Sequence, residues 1–403
     1  MIRRHFIGHV VALMPVLPGV GLMDKAPRRD GEPWKAYLDD PALGGRADGV
    51  TVNDAAFLQA LQDMPARGGT IILRPEGEWL FDSVDLSEVR RKGVTLWAVG
   101  ARVRKSPRTR FHLFHDRLGA SDGFRLVGGD FDAGGEHFHP GDVASPFFFS
   151  RTDDLTFEGA TFHNGIEEGL KLYKPAGVRV HRCRFERFRN NGVQVAASPH
   201  DAYEGDKPNR GPRNVHVSEC GFFGIDDHLN GMEGQGFSAG SDEPGHPVVD
   251  VSVRRCVAEG CVRGLWSENN HSGTPARDVW FDDNVIRRSQ FHGLGLVGVK
   301  GGGARGNRLL DIGTRWPGPG TSSETAGIIL SGSEALSGED LVIEDNEVVD
   351  GRGADARMQW GIVLRRQRRI RVCRNQVVGA TIAPMSQAMV SDSDVETPSR
   401  FPL

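Results

Sequence analysis

Seven short apolar-x-apolar segments recur along the middle and end of the chain: Leu155-Thr-Phe, Val178-Arg-Val, Val215-His-Val, Val251-Ser-Val, Val279-Trp-Phe, Leu341-Val-Ile and Ile370-Arg-Val. Each alternates with period two, the signature of a strand with one face buried. Their starts are separated by 23, 37, 36, 28, 62 and 29 residues. The double-length gap predicts a degenerate copy near Gly302. Five residues into each copy stand Ala160, Cys183, Cys220, Cys256, Asn284, Asn307, Asn346 and Asn375. In a solenoid, equivalent residues stack ~4.8 Å apart along the axis. Small polar and thiol side chains would then form one internal ladder.

A second strand follows a glycine in each repeat: Gly169-Leu-Lys-Leu-Tyr, Gly192-Val-Gln-Val, Gly236-Phe-Ser-Ala, Gly264-Leu-Trp-Ser-Glu, Gly293-Leu-Gly-Leu-Val, Gly327-Ile-Ile-Leu and Gly361-Ile-Val-Leu. Alternation points Leu170, Val193, Phe237, Leu265, Leu294, Ile328 and Ile362 inward. The varying period predicts a constant frame carrying loops of different length. The longest are Ser198 to Pro212, Phe223 to Gln235, Gly240 to Val248 and Leu309 to Ala326. Upstream, Asn53 to Met64 reads as an amphipathic helix with Asn53 as N-cap, placed to cover the exposed sheet end.

Composition changes little in this picture. The chain has 403 residues, 25% charged and 38% hydrophobic, an ordinary globular balance. Its 53 glycines exceed the usual ~7% and fit a chain of many tight bends. A net charge of −4 excludes the broad basic surface of a nucleic-acid binder. Five cysteines without a Cys-x-x-Cys pair suggest buried thiols rather than a disulfide framework or zinc site. No run approaches the ~20 apolar residues of a membrane span.

Ala47-Asp-Gly-Val-Thr-Val-Asn-Asp, a short helix, then Gly68-Gly-Thr-Ile-Ile-Leu-Arg-Pro-Glu-Gly resembles the opening of the pectate-lyase-like superfamily. That superfamily includes pectate lyases, polygalacturonases, mannuronan epimerases and phage tailspikes. The resemblance implies an all-β, single-domain, right-handed parallel β-helix with an N-terminal capping helix. It implies a polysaccharide partner, here expected to be acidic. Residues 27–383 would form the β-helix and 384–403 a polar tail. Residues 1–26 begin with Arg3-Arg4-His5-Phe6-Ile7, which resembles a twin-arginine export signal, or form an irregular start. Export implies a periplasmic or secreted protein. Oligomeric state is not legible.

In the superfamily, sugar chains lie along the strand that here follows the glycine. Its outward side chains concentrate in four neighbouring coils. One cluster holds Glu167, Glu168, Lys171, Tyr173, Asn191 and Gln194. The other holds Asp242, Arg263, Trp266, Glu268, Asn269, His271 and His292, with Gln235 and Ser238 between. Three coils put Lys171 and Trp266 roughly 14 Å apart, too far to act on one bond. An outward Trp266 would offer its indole face to a sugar ring.

Three functions remain open at this point. Uronate β-elimination needs a base and groups that neutralise the carboxylate. Lys171 with Tyr173, or Arg263 with His292, would serve, while Glu168, Asn191, Gln194, Gln235, Ser238, Trp266 and His271 would bind substrate. An epimerase would share this chemistry. Hydrolysis needs two carboxyls, ~6.5–9.5 Å apart in an inverting enzyme; Asp242 and Glu268 are one coil apart and qualify. A carbohydrate-binding protein would need neither. Relatives that use Ca²⁺ hold it with clustered carboxylates, for which Asp226, Asp227 and Asp242 are the candidates.

Overall fold

The computed structural model describes residues 33–137, 142, 144–198, 205–226, 234–269, 273–315, 324–333 and 336–398. The chain winds as a right-handed parallel β-helix with three faces. The first face carries the post-glycine strands Leu170–Tyr173, Val193–Ala197, Gln235–Ser241, Arg263–Glu268, His292–Val297, Ala326–Ser331 and Trp360–Arg368. The second carries the apolar-x-apolar strands. The third holds twelve short strands. All ladders are parallel, and pairing is always with the preceding and following coils.

Register follows the predicted alignment. Leu170, Val193, Phe237, Leu265, Leu294, Ile328 and Ile362 pair in succession and are fully buried. On the second face, Gly302 lies between Val279 and Leu341, which locates the degenerate copy. On the third face, Phe131, Phe162, Phe185 and Phe222 form a stack with centroids 5.1–5.4 Å apart.

The polar ladder has a specific cause. The residue before each ladder position is left-handed: Gly159, Arg182, Glu219, Arg255, Asp283, Gly306, Asp345 and Arg374 all have positive φ. That bend turns the next side chain into the coil interior. Asn284, Asn307 and Asn346 each donate Nδ2 to the Oδ1 of the next asparagine and to a backbone carbonyl of the coil before. The thiols of Cys183, Cys220 and Cys256 continue the row, buried and unbridged.

Two expectations change. The helix runs Asp54–Asp63, but Asn53 makes no side-chain cap bond. Its amide is spent on the backbone of Arg46, Thr51 and Leu80, locking the entering strand. The helix buries Ala56, Phe57, Ala60 and Leu61, with Phe57 against Phe81 and Phe114. The boundary expected at 383 falls at the start of a strand. Ala383–Ser391 pairs with Trp360–Arg368, and Asp394–Val395 with Arg371–Cys373. This last coil reads as polar because its outer edge meets solvent rather than another coil. No described helix is long and apolar enough to cross a membrane. Residues 1–32, including the Arg3-Arg4 start, lie outside the described residues.

Candidate functional site

Pairing on the first face defines two outward rows. One runs Asp85, His115, Phe148, Lys171, Gln194, Ser238, Trp266, Gly295, Ile329, Val363. The other runs Ser150, Tyr173, Ala196, Gly240, Glu268, Val297, Ser331, Arg365. The first residues of three of these strands, Gln235, Arg263 and His292, form a third row. Lys171 and Trp266 lie in the same outward row, and three coil steps separate them.

The first cluster is built around one ammonium. Lys171 Nζ lies 3.2 Å from Glu167 Oε2 and 3.2 Å from Glu168 Oε2. Asn190 donates to Glu168 Oε1 at 2.9 Å, and Ser145 Oγ to Oε2 at 3.3 Å. Glu168 is 1% exposed, so it is enclosed by these partners and positions Lys171 rather than meeting substrate as expected. Burial, then the charge of Glu168, pushes the Glu167 carboxyl up to about 8. Burial acts against the Lys171 charge, but Glu168, Tyr173 and Glu167 outweigh it and hold the ammonium firmly charged. At neutral pH the trio is therefore one neutral acid, one carboxylate and one ammonium, with no net charge. Tyr173 stands alongside, its ring centroid 5.7 Å from Lys171 Nζ.

Asn191 is buried too. It donates to Asn190 and accepts from the Gln235 backbone N–H, so it braces the cluster, and Gln235 is likewise enclosed. Gln194 and Ser238 stay half-exposed on the groove floor. Gln194 Oε1 is shielded from solvent and has no hydrogen-bond partner among the described residues.

The second cluster departs further from expectation. Trp266 is 5% exposed, not an open platform. Its ring lies over Gly295 of the next coil, stacks on His292 at 5.6 Å and carries the Arg263 guanidinium at 4.4 Å. Its Nε1 donates to Glu268 Oε2 at 2.8 Å. Burial, then Arg263 and Arg365, pushes His292 down to about 3. The imidazole is neutral at neutral pH and a weak base.

Sequence reasoning missed the coils preceding Leu155. They add Asp85, His112, His115, Ser145 and Phe148 to the same face. His112 stacks on Phe148 at 4.6 Å and accepts from the Ser145 backbone at 3.1 Å. Phe114-His-Asp and Phe147-Phe-Phe-Ser carried the alternation that would have revealed them. Among the described residues, no three His, Cys, Asp or Glu side chains converge as metal ligands. Asp226 meets Arg315 and Gln290, both at 3.4 Å, and Asp242 is exposed. Asp227 and His271 lie outside the described residues.

No family model matches the chain, and no match to a curated protein was found. Solved structures do match. The A-module of the Azotobacter vinelandii mannuronan C-5 epimerase AlgE6 superposes with a TM-score of 0.59 at 12% identity, covering 91% of this chain and 99% of the epimerase module. An exopolygalacturonase from Thermotoga maritima gives 0.60 at 14% identity, covering 90% and 93%. The likeness is one of fold. A tailspike protein of E. coli bacteriophage HK620, in complex with a pentasaccharide, gives 0.64 at 14% identity and covers 89% of this chain and 66% of the tailspike. These neighbours are polysaccharide-active parallel β-helices, which is the coarse class the resemblance implied.

Proposed function

We propose that this chain is a polysaccharide-active enzyme, a lyase that cleaves a uronate-containing polysaccharide by β-elimination at Glu167, Lys171 and Tyr173. The observation that carries the reading is the enclosed trio, with Lys171 Nζ 3.2 Å from both Glu167 and Glu168, where burial favours the protonated form of Glu167. Elimination builds negative charge on the substrate carboxylate, and that charge must be met before the carbon acid will yield its proton. Glu167, protonated below pH of about 8, donates a hydrogen bond to that carboxylate. Lys171 adds positive charge. Because the trio carries no net charge, an incoming uronate is not repelled.

Tyr173, half-exposed in the outward row beside Lys171, is the base. It takes the proton from the carbon beside the carboxylate. That electron pair becomes the new carbon–carbon double bond as the bond to the glycosidic oxygen breaks. The departing oxygen then takes the proton back from Tyr173. The half-exposed Ser238 hydroxyl receives sugar hydroxyls along the floor. A polymer of this kind is met outside the cytoplasm, in keeping with the Arg3-Arg4 start.

The test is incubation with a panel of acidic polysaccharides, with and without a chelator. The unsaturated product absorbs in the ultraviolet, so growing absorbance supports elimination. New reducing ends without absorbance would replace this reading with hydrolysis. Binding with no turnover would leave a carbohydrate-binding protein.

A further inference from the structure

The groove face does not stay open along its length. In the first outward row, Phe148 is buried, Lys171, Gln194 and Ser238 are half-exposed, and Trp266, Ile329 and Val363 are buried again. In the second row, Ser150 is buried, Tyr173, Ala196, Gly240 and Glu268 are half-exposed, Val297 is buried, and beyond it Ser331 is half-exposed and Arg365 exposed. The two rows open together; the first then stays closed through Val363, and the second is interrupted at Val297. The fold itself does not end there. Coils continue on both sides, with Phe114–Asp116 before and Trp360–Arg368 after. Side chains do the closing.

At one end His112 stacks on Phe148, whose ring meets the edge of Tyr173 at 5.6 Å. At the other, Trp266, Val297, Ala326, Ile329 and Val363 form a cluster of their own, separate from the core, with Trp360 packed against it. These side chains point away from the coil interior, yet they bury one another. Gly295 makes room for this plug, since a Cβ there would lie 2.1 Å from the indole. The open floor spans four coils, or about 14 Å between first and last.

The plugged end also has a chemical character. Arg263 lies against the Trp266 face, and Arg365 adds its charge to the field at His292. His292 Nδ1 is shielded from solvent without a hydrogen-bond partner among the described residues. An enclosed polar atom next to an indole that carries a guanidinium suits a carboxylate-bearing sugar ring.

We infer that the groove takes the end of a polysaccharide rather than its middle, holding about four sugar units, one per open coil, with a terminal acidic sugar against Arg263, Trp266 and His292. This rests on the proposed reading for its substrate class and adds where on the chain the protein acts. The second cluster thus recognises a chain end and performs no proton transfer.

The wild-type protein tests it on a long polyuronate, with product size and viscosity followed together. One short product size from the first minutes, with viscosity falling slowly, is the expected result. A random ladder of fragments with early loss of viscosity would overturn it. Arg263→Gln is expected to raise KM for acid-terminated oligosaccharides about 10–100-fold, the worth of one charge-assisted hydrogen bond, and to leave KM unchanged when the terminal carboxyl is reduced to an alcohol. Equal loss on both substrates would mean a merely structural arginine. Should nothing be cleaved, the lyase reading falls alone. Calorimetry on an oligouronide length series then still decides: affinity that stops rising at about four units sustains the closed groove, and affinity that keeps rising refutes it.

Discussion

Asn307→Ala should be among the most damaging single substitutions in this chain, although it removes only three heavy atoms. Asn307 is fully buried. Its Oδ1 accepts from both the backbone N–H and the Nδ2 of Asn284 at 3.0 Å. Its Nδ2 donates to the Phe281 carbonyl at 2.8 Å and to Asn346 Oδ1 at 2.9 Å. After truncation, Asn284 Nδ2 keeps Val253 and Asn346 Oδ1 keeps the Asn307 backbone N–H. The Asn284 backbone N–H loses its ladder acceptor, and Phe281 loses a donor. Stranding a buried donor costs about 1–3 kcal/mol, and the weakened acceptors add to it, for about 3–5 kcal/mol in all. A water admitted to the vacated space would recover part and set a floor of about 2 kcal/mol. Cys256→Ala gives the internal control. Its Sγ accepts from Cys220 N–H at 3.4 Å, a weak bond, so loss of a small apolar group dominates at about 1–2 kcal/mol. Urea unfolding followed by circular dichroism, extrapolated linearly where the transition is single, measures both. A cost below about 1 kcal/mol for Asn307→Ala, or one no larger than for Cys256→Ala, would refute the claim that the asparagine half of the ladder holds the coils in register.

The acid cluster yields two further predictions. Activity should fall as pH rises through about 8, where Glu167 loses its proton, and Glu167→Gln should lower kcat by about 10²–10⁴-fold and remove that limb of the profile. Stability should change with the same group. Its folded value lies above its ordinary 4.5, so the native state holds an extra proton between about 4.5 and 8, and stability declines as pH rises through that window. Glu167→Gln should flatten the decline in pH-dependent melting. Lys171→Met leaves two enclosed carboxyls without their cation and should cost about 3–5 kcal/mol by denaturation as well as abolishing turnover. Gly295→Ala should cost about 1–3 kcal/mol by forcing the indole from its seat, with a shift in tryptophan fluorescence; an unchanged spectrum would contradict the packing described.

Inward positions were legible because alternation is a local property. Leu170 through Ile362 could be aligned from strand patterns alone, and the stacked asparagines agreed with them independently. Even the degenerate copy has a physical explanation. At Gly302 and Gly303 a Cβ would lie within about 2 Å of Val279 and Val342 carbonyl oxygens, so the apolar residues that mark other copies do not fit there. One legible signal went unused. Asp154, Asn214, Asp250, Asp278 and Asp340, each just before a repeat strand, are left-handed, a conformation Asn and Asp tolerate better than most residues.

Outward positions follow a different logic, and there the reading weakened. Whether Trp266 is open or covered depends on Gly295 in the next coil and on Ile329 and Val363 one and two coils further on, residues tens of positions away. Nothing in the segment Gly264 to Glu268 carries that information. The state of Glu167 is more distant still from local pattern. Glu167-Glu168 beside a lysine reads as a solvated charge cluster. It becomes an acid only because burial, and then the charge of Glu168 beside it, disfavours the ionised form of Glu167. The same neighbourhood fixes the second cause of that shift: Asn190 and Ser145 both donate to Glu168 and hold its carboxyl in place beside Lys171, so the charge that raises Glu167 stays close to it. Removing one of these donors should therefore loosen that placement. Asn190→Leu is expected to move the alkaline limb of activity, because the charge beside Glu167 is then no longer held in place. A profile left in place by Asn190→Leu would mean that desolvation alone, and not the placement of Glu168, sets the acid.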